Sequence, residues 1–198
     1  MKRLLLILLC LLMLMCAACG AEDAGNRQTP TTTGTENTIT AYYAHDPVID
    51  RFFVDFLKKY PRSTLDPQTI LRGKDISEYT AVIGQCNVTV RNVSTSVELG
   101  NATSTMYLLR VSIEGGTTVA DRDRMMSTFS KIVRAIDPGC TKEQADDAIL
   151  YLEGQKETLS GYAFRSNIKI EQYIPIVEKY GVPCRIDLIA YNYAPLNK

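Results

Sequence analysis

The sequence predicts an α+β domain, a mostly antiparallel sheet of five to six strands with about three packed helices. Three observations carry that expectation. Between Asp46 and Pro61 the apolar residues recur every three or four positions, from 79 to 113 they alternate, and after two further helical stretches they alternate again. Runs of strands separated by helices, without the regular strand–helix repetition of a parallel sheet, point to that class.

The first helix opens at Asp46-Pro47, where the carboxylate can accept from free backbone N–H groups and proline has no N–H to lose. Ile49, Phe52, Phe53, Phe56 and Tyr60 form its apolar stripe, and Pro61 ends it. Strands follow. Tyr79, Ala81 and Ile83 alternate with Thr80, Val82 and Gly84; Val88 and Val90 continue; Tyr107, Leu109, Val111 and Ile113 alternate with more polar neighbours. Gly100-Asn101 and Gly115-Gly116 punctuate them, since both supply positive φ at little cost. Thr118 starts a second helix with Met125, Met126, Phe129, Ile132, Val133 and Ile136 on one face, stopped by Pro138-Gly139. Thr141 and Gln144 make a capping-box pair for a third, carrying Ala145, Ala148, Ile149 and Leu152 up to Gly154. Tyr162 and Phe164, then Ile168 and Ile170, then Ile186, Leu188 and Ala190 mark the final strands.

The N-terminal part has a different composition. Lys2 and Arg3 precede an uncharged apolar run from Leu4 to Met15, which meets small residues at Ala17-Ala18-Cys19-Gly20. The run is shorter than the roughly 20 residues that span a bilayer, and residues 1–18 are expected to be a signal peptide. Ala17-Ala18-Cys19-Gly20 resembles the lipobox of bacterial lipoproteins, with Cys16 standing where that family prefers an aliphatic residue. The resemblance implies cleavage before Cys19, a diacylglycerol on its thiol, and a chain anchored by lipid to the extracytoplasmic face of the cell membrane. The competing cut, after Gly20 with Ala18 and Gly20 as the small pair, implies a secreted product. Residues 19–40, rich in Thr with Gly and Pro, have almost nothing to bury; they are expected to be a flexible tether with a reach of roughly 25 Å. Residues 41–198 make the single α+β domain.

Charge and composition exclude several functions. The chain has 22 basic and 22 acidic residues, and removing Lys2 and Arg3 leaves 20 against 22. A nucleic-acid partner needs a basic excess to displace counterions, so none is expected. His45 is the one histidine, which excludes a site of two or more His ligands, and no Cys-x-x-Cys spacing replaces them. No metal and no cofactor are expected.

Candidate chemistry is sparse. Cys86, Cys140 and Cys184 follow Cys19, and the odd number leaves at least one thiol unpaired. Cys140 lies just before a helix, where the backbone dipole can favour a thiolate, and Cys140 with His45 is the one Cys–His pair available for nucleophilic catalysis. Gly115-Gly116-Thr117-Thr118 lacks the Lys and spacing of a phosphate loop, and Asp121 and Asp123 put negative charge in the following turn. Tyrosine is the aromatic in excess, eleven against five Phe and no Trp. Tyr42, Tyr43, Tyr191 and Tyr193 cluster near the ends of the domain and are the candidate partner-binding residues, because exposed Tyr commonly anchors interfaces. The leading expectation is a non-enzymatic, lipid-tethered binding module of the cell envelope with a protein or peptide partner. The alternatives are an envelope enzyme using Cys140 or His45, and a secreted inhibitor-like module. The order of two helices followed by strands after residue 118 resembles small modules similar to β-lactamase inhibitor protein, in topology only.

Overall fold

The computed structural model describes residues 46–63, 66–72, 77–100, 102–177 and 180–195. Cys19, the tether, Tyr42, Tyr43 and His45 lie outside the described residues. The α+β class stands: three helices cover one face of an antiparallel sheet.

Helix α1 spans Pro47–Lys59, as its apolar spacing requires. Asp46 caps it, accepting from Val48 N at 2.9 Å and Ile49 N at 3.1 Å, while Asn92 Nδ2 donates to the same carboxylate at 3.0 Å. The cap therefore also fastens the helix to the end of a strand. Asp46→Ala should cost about 1–2 kcal/mol, read as a lower denaturant midpoint, because two N–H groups and one amide lose their acceptor together.

Strands β1 (Asp66–Arg72), β2 (Ser77–Ile83) and β3 (Cys86–Asn92) form a meander. Gly84 and Gln85 join β2 to β3 with φ of 59° and 66°, the left-handed pair of a two-residue hairpin. After β3 the chain runs into β4 (Thr95–Leu99) and β5 (Ala102–Met106), a two-stranded ribbon in which every described side chain of β5 is exposed. It returns as β6 (Leu108–Glu114), paired antiparallel with β3. Helices α2 (Val119–Ile136) and α3 (Lys142–Glu153) follow, and both start with a capping box: Thr118 with Asp121, Thr141 with Gln144. Strands β7 (Leu159–Ala163), β8 (Ile168–Ile174) and β9 (Arg185–Tyr191) complete the order β1-β2-β3-β6-β9-β8-β7.

β9 thus enters between β6 and β8, and five consecutive residues, Ile186 to Ala190, are buried, as befits a strand near the middle of the sheet. Elsewhere the alternation is clean. Val88, Val90, Leu109, Val111 and Ile113 face the helices, where they meet Phe52, Phe53 and Phe56 of α1 and Met125, Phe129 and Ile132 of α2 in one core. Each such side chain contributes roughly 1.5–3 kcal/mol on burial. The sheet has seven strands: β1, with only Ile70 and Leu71 as an apolar signal, adds one to those expected from periodicity.

Candidate functional site

With helices on one face, the other face of the sheet carries the polar half of each strand. Its middle is a groove of about 380 Å³ lined from five strands: Arg91 on β3, Arg110 and Ser112 on β6, Arg185 and Asp187 on β9, Glu171 and Gln172 on β8, Ser160 on β7. The alternation that buries Val90, Leu109 and Val111 puts Arg91, Arg110 and Ser112 on this side.

A bulge supplies the rest. Ile170 pairs with Leu188 and Gln172 with Asp187, so Glu171 is the extra residue on β8, and the two neighbours Glu171 and Gln172 both reach the groove before Tyr173 returns to the core. Glu171 meets Arg110 in a two-pronged pair, accepting from Nε at 2.7 Å and from Nη2 at 3.1 Å. Arg185 donates from Nε to Asp187 at 2.9 Å and from Nη2 to Ser112 Oγ at 3.4 Å, with Glu114 at 3.5 Å from Nη1. The Asp187 hydrogen bond holds the Arg185 guanidinium more firmly charged than usual. Arg91 is ion-paired with Glu78, its register partner on β2. Such pairs contribute little to stability where both partners meet water, ~0.2–1 kcal/mol for one like Arg110–Glu171. Their stronger effect is to fix where the guanidinium planes lie.

No protein-family model matches the chain, and no curated protein or solved structure matches it significantly. Among the described residues there is no group of three or more His, Cys, Asp or Glu placed to hold a metal ion, and no helix long and apolar enough to cross a membrane.

The residues singled out by sequence divide. Tyr193 is 4% exposed, its hydroxyl donates to Asp55 at 2.8 Å, and the Arg51 guanidinium lies 4.5 Å from its ring centroid. It is buried against the core, so the condition of exposure on which its candidacy as a partner anchor depends is not met at this position. Tyr191 is half-buried at the end of β9. Tyrosine abundance could not distinguish the two, because Asn192, at φ 58°, turns the chain between them.

Cys86, Cys140 and Cys184 are all buried and free. Burial pushes each thiol up from its ordinary value. For Cys140 this outweighs the nearby Arg165, Arg134 and Lys59 charges, and its Sγ faces the Thr141 carbonyl at 3.6 Å. A buried thiol of raised pKa is a poor nucleophile. A thiol reagent added to the native domain near neutral pH should modify none of the three, and all three should react after unfolding; fast native labelling of Cys140 would restore it as a catalytic candidate.

The groove itself was missed. Its signal was present as Arg91, Arg110 and Arg185 at outward positions of three strands, but their meeting depends on β9 pairing with β6. A smaller cleft of about 230 Å³ lies between α3 and β7, beside Tyr162 and Asp147; its one cation, Arg165, is engaged by Asp137 at 3.0 Å and Gln144 at 2.8 Å.

Proposed function

We propose that this chain is a non-enzymatic binding module of the cell envelope, held by a lipid on Cys19 at the extracytoplasmic face and taking its ligand on the open face of its sheet. The observation that carries the reading is the groove: charged and hydroxyl side chains from five strands converge there, their guanidinium groups oriented by ion pairs yet still accessible to solvent. A second support is negative in kind, the burial and raised pKa of Cys140, which weakens the competing enzyme reading.

Two experiments test the two halves. Cys19→Ala should move the protein from membrane to soluble fractions, and mass spectrometry of the wild-type N-terminus should find a diacylated cysteine. An unmodified N-terminus at Ala21 would replace the anchor by secretion. For the binding half, the intact domain is used to recover ligands from envelope extracts, beside a panel of hydrolase substrates. Turnover abolished by Cys140→Ser or His45→Ala would overturn the module in favour of an enzyme.

A further inference from the structure

We propose that the groove holds an oxyanion, a carboxylate or phosphate group borne on a small polar molecule, between the guanidinium groups of Arg91 and Arg110. The inference rests on the binding-module reading and gives its ligand a chemical class.

Arg91 on β3 and Arg110 on β6 are directly opposite partners, in a row that runs Glu78, Arg91, Arg110 across three strands. Like charges directly opposite each other disfavour a pair of strands, and a sheet built for stability alone would alternate the signs. Here the carboxylates stand at the two ends of the arginine pair instead: Glu78 beside Arg91, and Glu171, brought in by the β8 bulge, beside Arg110. One carboxylate can accept from at most two of the five N–H donors of a guanidinium, so each arginine keeps about three for other acceptors. Both side chains remain accessible to solvent and both line the groove. An anion between them would screen their repulsion and accept from two rigid forks, the geometry in which arginine outperforms lysine.

The remaining walls narrow the class. Ser112, Ser160 and Gln172 offer neutral hydrogen bonds, while Asp187 and Glu171 present carboxylate oxygens that want donors and repel further negative charge. A polyanion is disfavoured. A molecule with one oxyanion and several hydroxyl or amide groups satisfies both ends, and about 380 Å³ is within the range of small-molecule sites.

The test titrates the whole domain with inorganic phosphate and, separately, with N-acetylglutamine, which carries one carboxylate and two amides, at constant ionic strength, following backbone amide and arginine Nε resonances by NMR. At least one probe should give saturable shifts centred on residues 91, 110 and 112, and whichever binds more tightly identifies the source of the oxyanion. Arg91→Gln and Arg110→Gln should each weaken that binding at least tenfold, Arg110→Lys should recover little of it, and Lys131→Gln on α2 should leave it unchanged. The same probe should raise the wild-type melting temperature while chloride at equal ionic strength does not, a reading that needs no variant to fold. Saturable shifts with neither probe, or unchanged affinity in both glutamine variants, would overturn the oxyanion site. If Arg91→Gln and Arg110→Gln still recover from envelope extracts the same ligand as wild type, the oxyanion site falls and the binding module stands. Catalytic turnover lost in Cys140→Ser would bring down the module whatever the titrations show.

Discussion

Tyr193→Ala should destabilise the domain by about 3–5 kcal/mol, the loss typical of truncating a buried aromatic ring. Tyr193 follows β9 and fastens that end of the sheet to α1: its N–H donates to the Tyr107 carbonyl at 3.2 Å, its hydroxyl to Asp55, and Arg51, which stacks on its ring, donates to the Ala194 carbonyl at 2.8 Å. Tyr193→Phe keeps the ring and leaves Asp55 still held by Arg51 at 3.2 Å, so it should cost only about 1 kcal/mol. Burial, with the Asp55 carboxylate beside it, pushes the phenol well above the ordinary tyrosine value. The sign follows. The folded state favours the neutral phenol, so its contribution is intact below the unfolded pKa near 10 and is lost as pH rises beyond it. Denaturant midpoints of the two variants, and an ultraviolet titration in which Tyr193→Phe lacks a tyrosine that ionises late in wild type, check these statements. A Tyr193→Ala variant as stable as wild type but defective in partner binding would restore the surface-anchor reading.

Phe53→Ala should be comparably severe, at about 3–5 kcal/mol, because it opens a cavity where α1 meets the sheet. Phe53 is fully buried and makes edge contacts with Tyr79 on β2, centroids 4.6 Å apart, and with Phe52, 5.2 Å apart. Loss of those aromatic pairs adds to the transfer and cavity terms. A domain of this size has roughly 5–15 kcal/mol in total, so the variant should melt far below wild type or not accumulate at all. Phe53→Leu, which fills most of the space, should cost much less. A melting temperature within a degree or two of wild type for Phe53→Ala would mean that α1 is not seated as described.

Local signals fixed the helices well and the sheet unevenly. Asp46-Pro47, Thr118 and the Thr141/Gln144 pair are cap chemistry that acts within a few residues, so each helix start was legible. β2, β3, β6 and β9 bury one side each or both and so alternate or run apolar. β1, β4 and β5 leave almost no trace. β5, Ala-Thr-Ser-Thr-Met, has no buried face at all, and only pairing with β4 makes it a strand. The groove was illegible for a different reason. Arg91, Arg110 and Arg185 each look like an ordinary outward charge in their own strand; what joins them is register across long sequence separations, and what brings Glu171 in is a bulge that periodicity does not reveal.

The place of β9 also orders events in time. Until residues 185–191 are free to pair, β6 presents a bare hydrogen-bonding edge and β8 lacks the neighbour that joins it to the main sheet, so the core between Glu114 and Arg185 cannot close in sequence as the chain emerges. Such distant pairing is entropically slow. A chain delivered N-terminus first from a ribosome would stay open until its last strand arrived. Once β9 inserts, one late step joins the two halves of the sheet together.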